Sequence, residues 1–597
     1  MVSTNIRMIA GCAAVAVSCL SVQAKVEPYG ILPTEAHLPY QEREIMAIVH
    51  WGPNTFTNVE WGFGNVPPEK VNPDRLDPEQ WVVAMKTAEI KSVVLVAKHH
   101  DGFCLWPSKL CPDGYSMANA GGRNKGFDVV RAVADACRKH GLKFGCYVSP
   151  WDRHQANYGT PAYVDYFHNQ WRELLTNYGE ICEIWLDGAN GGTGWYGGAN
   201  GGKGERRSIP AGYYRKPQLL QMMHELQPMA LAFGGHGNWS TTWCGTESGY
   251  SPETWKYARK GEDGGTYWTP SESDTPFRQQ WFFHPDQHPK SLAVLVKAYY
   301  ESVGRSAVLN FGIAPDTHGR VCDEDVKQLK AFGDWVREFN AVDLAAGAIK
   351  TVTGEGLDQT IELKLPKVVR FNCCDLKEEI TLGQRVVKFD VEAKVEGGWR
   401  HLASATTMGY RRIVRFDPVE SDCVRVKVKG EAEPVVKSIA LRFGKSVDTE
   451  RGMADDALSR SLWKPLATSV PNLETVKYVF DGRANTLWHS DPMSGPLLPP
   501  QSFAIDCGKT VTIKGFDYLP RQDGCPRGLT DGYAFYTSDD GKSWTLRAEG
   551  EFGNVLANPV RQRVTLAQPV KTRYFKFVGT HAANDCNHVA VAEFYLF

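Results

Sequence analysis

The sequence predicts a multidomain protein in which a (β/α)8-type barrel is followed by two all-β sandwich domains. Three observations lead to this prediction. The chain has 597 residues, too many for one ordinary domain. Between about residues 44 and 315, short apolar runs alternate with segments of helical periodicity, as in a parallel sheet covered by helices. After about residue 345 the runs are short and alternating, without helical stretches between them, which is typical of β-sandwiches.

The composition is that of a folded protein without a polyanionic partner. Hydrophobic residues make up 42% of the chain and charged residues 23%, which excludes disorder and coiled coil. Lys and Arg together number 67 against 68 Asp and Glu, so the net charge is -1. Because no basic excess is present to neutralise phosphates, we expect no nucleic-acid partner. The 18 tryptophans favour a protein that handles sugars, because aromatic rings stack on the apolar faces of pyranoses.

Residues 1–24 are predicted to be a signal peptide. Arg7 precedes the apolar stretch 8–20, and Val22-Gln23-Ala24 is a small-residue cleavage pattern. A membrane anchor needs about 20 apolar residues, and this stretch is shorter. We therefore predict a secreted or periplasmic protein without a transmembrane segment in its mature chain.

The 15 cysteines are scattered along the chain and contain no Cys-x-x-Cys pair. A structural zinc site is therefore not expected. Two of the cysteines, Cys12 and Cys19, lie in the predicted signal peptide, and we expect most of the others to be small buried apolar groups.

The barrel domain is predicted to span residues 25–343. Five near-continuous apolar runs, each followed by polar or aromatic residues, have the character of strands buried on both faces of a sheet: residues 45–49, 92–97, 143–146, 181–184 and 229–233. In a barrel of this type the active site lies at the carboxyl ends of the strands. The polar and aromatic clusters should therefore meet at one rim.

Two all-β domains are predicted after the barrel, at residues 344–447 and 448–597. Residues 360–365 and 423–428 alternate apolar and polar side chains, as half-buried strands do. We expect the first of these domains to brace the barrel as structural support. No pattern in the sequence predicts an oligomeric state.

Three acidic residues of the barrel region are candidates for two catalytic roles. Asp187 follows a buried strand and Trp185, although Asp187-Gly188 is also a common turn sequence. Glu247 is the natural second carboxylate, and Glu272 is its rival. Glycoside hydrolysis needs two carboxylates, one of them an acid with a raised pKa. The sequence leaves open which glutamate is the acid.

His99 and His100 admit two interpretations. Adjacent strand residues point to opposite sides, which suits a shared metal poorly. Hydrogen-bond donors to sugar hydroxyls are therefore preferred over metal ligands, and a structural role for one ring stays open. A hydrolase with a metal at these histidines is a weaker alternative.

The barrel region resembles glycoside hydrolase family 29, the α-L-fucosidases, over roughly residues 30 to 340. The resemblance rests on six motifs: His50-Trp51-Gly52, Asn54-Thr55-Phe56-Thr57, Glu60-Trp61-Gly62, Lys98-His99-His100-Asp101-Gly102-Phe103, Ser149-Pro150-Trp151-Asp152-Arg153-His154 and Trp185-Leu186-Asp187-Gly188. It implies retaining hydrolysis without a catalytic cofactor, with Asp187 as nucleophile and Glu247 as acid/base. It also implies that the fucose is cradled by a larger set: His50, Glu60, Trp61, His99, His100, Tyr147 and Trp185.

Within this family, the sequence is more similar to the subfamily that removes α-1,3/1,4-linked fucose from branched, Lewis-type glycans than to the broad aryl-fucosidase subfamily. Residues 268–274 and 278–284 carry this similarity, and it makes Trp281 a candidate wall of the fucose pocket. The implied partner is a fucosylated oligosaccharide or glycoprotein glycan. The segment Thr242-Trp243-Cys244-Gly245-Thr246-Glu247 departs from the Arg-Trp-x-Gly-Asn-Glu pattern of the family. A non-catalytic glycan-binding protein with a decayed barrel is therefore the alternative.

The last domain resembles an F5/8 type C domain, a discoidin-like jelly roll shared with family 32 carbohydrate-binding modules. The resemblance rests on Asp481-Gly482, Thr486-x-Trp488, residues 538–544, Arg573-Tyr574 and Ala592-Glu593-Phe594. It implies a structural Ca²⁺ near Asp481, Thr486 and Glu593, and targeting of the protein to a glycan.

Overall fold

The computed structural model describes residues 26–111, 113–188, 193–195, 206–261, 264–445, 457–470, 473–484, 486–490, 499–583 and 586–597. The predicted signal peptide lies outside the described residues.

Eight parallel strands close into a barrel in sequence order, so the predicted fold class is confirmed. The strands are β1 (Ile45–Val49), β2 (Ser92–Lys98), β3 (Lys143–Val148), β4 (Glu183–Trp185), β5 (Leu231–Phe233), β6 (Ser240–Trp243), β7 (Ser271–Pro276) and β8 (Ala307–Ile313). Every residue of β1, β2 and β8 is buried, as expected for strands between a filled barrel interior and a layer of helices.

Eight α-helices accompany the strands in the described part of the chain: α1 (His37–Glu42), α2 (Pro53–Thr57), α3 (Pro78–Thr87), α4 (Val129–His140), α5 (Pro161–Asn177), α6 (Lys216–Leu226), α7 (Leu292–Glu301) and α8 (Asp323–Ala341). Side-chain caps fix where several of them begin. Asp77 accepts a hydrogen bond from the N–H of Gln80 at the start of α3. Asp128 accepts one from the N–H of Arg131 at the start of α4. Gly141 ends α4 in the left-handed conformation.

The β/α repeat is incomplete on one side of the barrel. The link from β5 to β6, residues 234–239, contains one short 3-10 turn, Gly237–Trp239. The described part of the link from β6 to β7 contains a hairpin of Ala258–Lys260 with Thr266–Trp268 in place of a helix. A second hairpin, of Thr193–Trp195 with Arg206–Ser208, lies between β4 and β5. Helix α6 follows this second hairpin, so among the described residues an α-helix is absent only from the links on either side of β6.

The middle domain is an antiparallel sheet of six strands: β9 (Ile349–Thr353), β10 (Asp358–Glu378), β11 (Val386–Val395), β12 (Gly398–Ala405), β13 (Arg412–Gly430) and β14 (Val436–Arg442). Bulges between Lys364 and Val369 and between Phe371 and Cys373 interrupt the ladder of the long β10 strand. The sheet buries its own apolar core, which includes Phe389 and Val426.

The last domain is also antiparallel, with strands β15 (Lys464–Thr468), β16 (Trp488–His489), β17 (Gln501–Leu519), β18 (Thr530–Ser538), β19 (Thr545–Glu551), β20 (Gln562–Ala582), β21 (Ala590–Val591) and β22 (Glu593–Leu596). Its core is rich in aromatic rings, with Phe516, Phe577 and Phe594 packed together. Among the residues that the structure describes, no helix is long and apolar enough to cross a lipid bilayer.

Candidate active site

The carboxyl ends of the first four strands bring most of the predicted site residues together. His50 follows β1, and His99 and His100 follow β2. Tyr147 lies near the end of β3 and Trp185 ends β4. Ring contacts join them: His50 lies 5.6 Å from His99, and Tyr147 lies 6.0 Å from His99 and 5.4 Å from Trp185, between centroids. The convergence expected from the strand ends is present.

Asp187 lies two residues beyond β4 and is held by two neighbours. The hydroxyl of Tyr147 donates a hydrogen bond of 2.8 Å to Oδ2 of Asp187. Nε2 of His100 lies 3.6 Å from the same oxygen. The side chain of Asp187 is 24% exposed, whereas that of His100 is 1% exposed. Burial and the neighbouring charge of Asp187 raise the pKa of Tyr147 well above its usual value, so Tyr147 keeps the proton that it donates.

The three histidines are uncharged groups in this environment. Burial, with His100 nearby, lowers the pKa of His50 to about 3. Burial lowers the pKa of His100 to about 4, although Asp187 raises it. Burial, with the other two rings nearby, also holds the pKa of His99 well below its usual value. Among the described residues, the buried Nδ1 atom of His50 has no hydrogen-bond partner. Neutral imidazoles with unused polar atoms suit the hydroxyl groups of a sugar.

Both carboxylate oxygens of Glu60 are hydrogen-bonded to other groups of the protein. Its Oε2 accepts the N–H of Trp281 at 3.1 Å, and its Oε1 accepts the N–H of Phe282 at 2.9 Å. Nε2 of His284 lies 2.9 Å from Oε1. Glu60 therefore fixes the segment that carries Trp281, whose ring centroid lies 5.1 Å from that of His50.

Trp61, which follows Glu60, lies edge-on against two rings. The centroid of His100 is 5.4 Å away and that of Trp151 is 5.5 Å away. Trp61 therefore borders the same cluster as Asp187.

Glu247 joins the site from the link after β6. Nε1 of Trp281 donates to its Oε2 at 2.7 Å. Nδ2 of Asn554, in the last domain, lies 2.8 Å and 3.0 Å from its two oxygens. Burial, followed by the charge of Asp274 and with a further contribution from Asp187, raises the pKa of Glu247 well above its usual value. Glu247 is thus suited to carry a proton at neutral pH.

Glu272 lies deeper, because it is the second residue of β7. It accepts hydrogen bonds from Tyr40 at 2.8 Å, from Nε1 of Trp185 at 3.0 Å and from Asn310 at 2.7 Å. All of these partners lie inside the protein, and the side chain is fully buried. Of the two candidates, Glu247 is therefore at the rim near Asp187, and Glu272 holds Trp185 from below.

Two residues that sequence reasoning missed, Asp274 and Asn554, also belong to the site. Asp274 lies two positions after Glu272 on the same face of β7, and Nε1 of Trp243 donates to it at 2.7 Å. Burial raises the pKa of Asp274 to about 8. The signal for Asp274 was the placement of two acidic residues, Glu272 and Asp274, at alternate positions of residues 271–276. The sequence contains no signal that assigns Asn554 to a site in another domain.

The residues predicted to hold calcium lie together in the last domain. The hydroxyl of Thr486 donates to Asp481 at 2.8 Å, and the N–H of Arg483 donates to both Asp481 and Glu593. The guanidinium of Arg460 pairs with Glu593. Because an arginine supplies positive charge here, these residues do not fit a calcium site well. In the part of the chain that the structure describes, no group of three or more histidine, cysteine or acidic side chains is placed to hold a metal ion. The calcium site stays a prediction.

Comparison with known proteins agrees with this geometry. The family model described as alpha-L-fucosidase matches residues 32–341, and the F5/8 type C domain model matches residues 467–594. The chain is similar to Alpha-L-fucosidase 1 of Arabidopsis thaliana, with 33% identity over 72% of this chain and 91% of that protein.

Solved structures match as well. A glycoside hydrolase 29 family member from an unknown rumen bacterium has 35% identity and a TM-score of 0.66, covering 96% of this chain and 100% of that one. A Ruminococcus gnavus GH29 fucosidase in complex with fucose, 24% identical over 71% of this chain and 97% of its own with a TM-score of 0.64, shares the fold.

Proposed function

Because this chain belongs to the α-L-fucosidase family, glycoside hydrolase family 29, we propose that it releases terminal α-1,3/1,4-linked L-fucose from branched glycans with retention of configuration. In this proposal Asp187 is the nucleophile and Glu247 is the acid/base. One observation carries the assignment: at one rim, a partly exposed carboxylate held by Tyr147 lies near a carboxyl group whose pKa is raised.

The reaction proceeds in two displacements. In the first, an oxygen of Asp187 forms a bond to the anomeric carbon of fucose while Glu247 gives its proton to the departing glycosidic oxygen. In the second, Glu247 takes a proton from water as the water oxygen attacks the anomeric carbon and the bond to Asp187 breaks. Free fucose and the original protonation states result, so each carboxyl group is ready for another turnover.

The pocket around the sugar supports this assignment. His50, His99 and His100 present neutral nitrogens, and the rings of Trp61 and Trp281 border the same space. Neutral donors and acceptors bind hydroxyl groups without the desolvation cost of a charged group.

Two substitutions test the roles of the carboxylates. Asp187→Ala removes the nucleophile, and we expect no detectable release of fucose. Glu247→Gln keeps the shape but cannot protonate the leaving group, so we expect kcat/KM on a glycan to fall by about 10²–10⁴-fold. Fucose release is followed by chromatography, and the anomer formed first is identified by NMR. Undiminished turnover by either variant would contradict its role, and tight glycan binding without release by the wild type would favour the binding-protein alternative.

The linkage preference needs a separate experiment. It rests on the subfamily similarity of residues 268–274 and 278–284, the second of which carries Trp281 into contact with Glu247. A Lewis-type trisaccharide with α-1,3/1,4-linked fucose is compared with α-1,2-fucosylated lactose. We expect release from the trisaccharide only. Release mainly from the lactose derivative would contradict the preference while leaving the mechanism intact. The pattern of residues 1–24 supports secretion or export to the periplasm as part of the same proposal.

A further inference from the structure

We infer that the last domain completes the active site, and that Asn554 is a positioning residue that holds Glu247 in place for proton transfer. This inference rests on the proposed acid/base role of Glu247. It gives the F5/8 type C domain a part in the reaction, in addition to any binding of glycans at a distance from the barrel.

The contacts with Glu247 come from two directions. Nδ2 of Asn554 lies 2.8 Å from Oε2 and 3.0 Å from Oε1 of Glu247, and Nε1 of Trp281 donates to Oε2 at 2.7 Å. In its described residues, the link that carries Glu247 contains no α-helix of its own. A carboxyl group on such a link needs partners to fix its direction, and one of them belongs to the last domain.

The segment around Asn554 is built to hold this side chain still. Asn554 has φ +63°, in the left-handed region that asparagine tolerates better than most residues. Phe552 is buried and stacks on Tyr518 and Tyr533, with centroids 5.1 Å and 4.4 Å away. Val555 is buried on the other side. Two apolar anchors in the core of the last domain therefore flank the asparagine that points at the barrel.

Further contacts join the two domains around Asn554. Nδ2 of Asn558 donates to the carbonyl oxygen of Gln279 at 2.9 Å, two residues before Trp281. Gln280 donates to Gln562 at 3.1 Å. The last domain thus supplies one donor to Glu247, Asn554, and supports the other, Trp281, by binding the backbone two residues before it.

Gly553 lies against the fucose-pocket side of this interface. A Cβ atom at Gly553 would lie 3.1 Å from Cβ of Glu60 and 3.1 Å from Cγ of Trp61. This is tighter than an ordinary van der Waals contact, so the loop fits closely against the rim. The close fit leaves Asn554 little freedom to turn away from Glu247.

The chemistry of the contact gives it a measurable signature. An amide that donates to a carboxylate favours the ionised form, so Asn554 lowers the pKa of Glu247, against the stronger effect of burial. Loss of the amide should therefore raise this pKa and move the basic limb of the kcat/KM profile to higher pH. A variant that loses activity only because its fold is less stable would leave the basic limb at the same pH.

The test uses two variants of the full chain that tolerate the left-handed backbone. Asn554→Gly removes the amide, and Asn554→Asp replaces the donor with a negative charge beside Glu247. On a fucosylated trisaccharide we expect kcat/KM to fall by about 10–100-fold, with the basic limb shifted up in Asn554→Gly and further up in Asn554→Asp. Fucosyl fluoride needs no proton on its leaving group, so its kcat/KM should change by less than about threefold.

Glu551→Gln is the matched control. Glu551 is the exposed last residue of β19, three positions before Asn554. Its Oε2 lies 3.7 Å from a guanidinium nitrogen of Arg153, and it has no contact with Glu247 among those that the structure describes. We expect its activity on both substrates to stay within about twofold of wild type. Circular dichroism and thermal unfolding of all variants check that they fold.

The outcomes separate this inference from the proposed function. Equal losses on both substrates, or an unchanged basic limb in both Asn554 variants, overturn the positioning role of Asn554. If Glu247→Gln hydrolyses the trisaccharide as fast as wild type, the acid/base assignment itself fails. If Glu247→Gln loses activity on the trisaccharide while both Asn554 variants match wild type, only the inference about Asn554 fails.

Discussion

Burial of the three histidines beside Asp187 links the stability of the barrel to pH. The pKa of His50 is lowered to about 3 and that of His100 to about 4, chiefly by burial. An unfolded histidine has a pKa of about 6.5. Below that pH the unfolded chain binds more protons than the folded one, so the stability is complete above pH 6.5 and is lost as the pH falls.

We therefore expect the Tm of the barrel to fall between pH 6.5 and 4, with each histidine contributing up to about 1.4 kcal/mol per pH unit. His50→Gln should reduce this slope. Differential scanning calorimetry over this range measures it. His401→Gln, in the middle domain, replaces an exposed histidine and should leave the slope unchanged. A His50→Gln slope equal to that of the wild type would contradict the prediction.

The two rival glutamates, Glu247 and Glu272, show what the sequence could predict about individual site residues and what it could not. The sequence identified Glu247 as the second carboxylate and Glu272 as its rival, and left open which of them is the acid. Only their depth in the barrel separates them: Glu272 is bound by Tyr40 and Asn310 inside the protein, whereas Glu247 contacts the rim. Depth depends on where a strand begins, and a one-residue change in that start reverses the face of every side chain.

At the scale of elements, the contact between α3 and α8 depends on a glycine. Gly333 lies in the middle of α8, where glycine is unfavourable by about 1 kcal/mol relative to alanine. A Cβ atom there would lie 1.9 Å from the carbonyl oxygen of Thr87, at the end of α3. The absence of a side chain is therefore what allows the two helices to pack.

Gly333→Ala should lower the stability of the barrel in spite of the better helix propensity of alanine. We expect a loss of about 1–3 kcal/mol, because the added methyl group forces the helices apart. Lys327→Ala, an exposed substitution on the same helix, should leave the stability within about 0.5 kcal/mol of wild type. Thermal unfolding of both variants measures these changes in stability. A Gly333→Ala protein as stable as wild type would show that the two helices adjust to the added methyl group without cost.

Strand β7 is a barrel strand that apolar periodicity does not find. Its residues are Ser271, Glu272, Ser273, Asp274, Thr275 and Pro276, and all six are buried. Strands β1 and β2 are recognised easily because their side chains are apolar on both faces. A strand that directs carboxylates into the barrel has a polar sequence, so the pattern that identifies buried strands is absent where the site is built.

At the scale of the whole molecule, Arg411 connects the middle domain to the barrel. Its guanidinium pairs with Asp375 at 2.7 Å and also reaches Glu44, Asn340 and Tyr299 of the barrel domain. Burial raises the pKa of Asp375, but the charges of Arg411 and Arg442 outweigh it and hold the pKa below its usual value. This contribution to stability is present above about pH 4 and is lost as the pH falls through the lowered pKa.

Arg411→Leu should destabilise the protein by up to about 3–5 kcal/mol. The variant removes the buried guanidinium that pairs with both Asp375 and Glu44, although Arg442 still contacts Asp375. We also expect the middle domain and the barrel to unfold in separate calorimetric transitions. Arg400→Leu, which removes an exposed arginine of the middle domain, serves as the control. A single transition at an unchanged Tm in Arg411→Leu would show that the domains are held together elsewhere.

The sequence by itself determined the barrel, the all-β character of the rest and most of the residues at the rim, because burial on both faces and strand-end positions leave a local pattern. Asp187 and His100 were identified in this way. The tertiary structure alone decided that Glu247 lies at the rim, that Glu272 lies below it, and that Asn554 reaches Glu247 from another domain. Depth inside a barrel and contact between distant segments depend on how elements pack, and neither is encoded in a run of neighbouring residues.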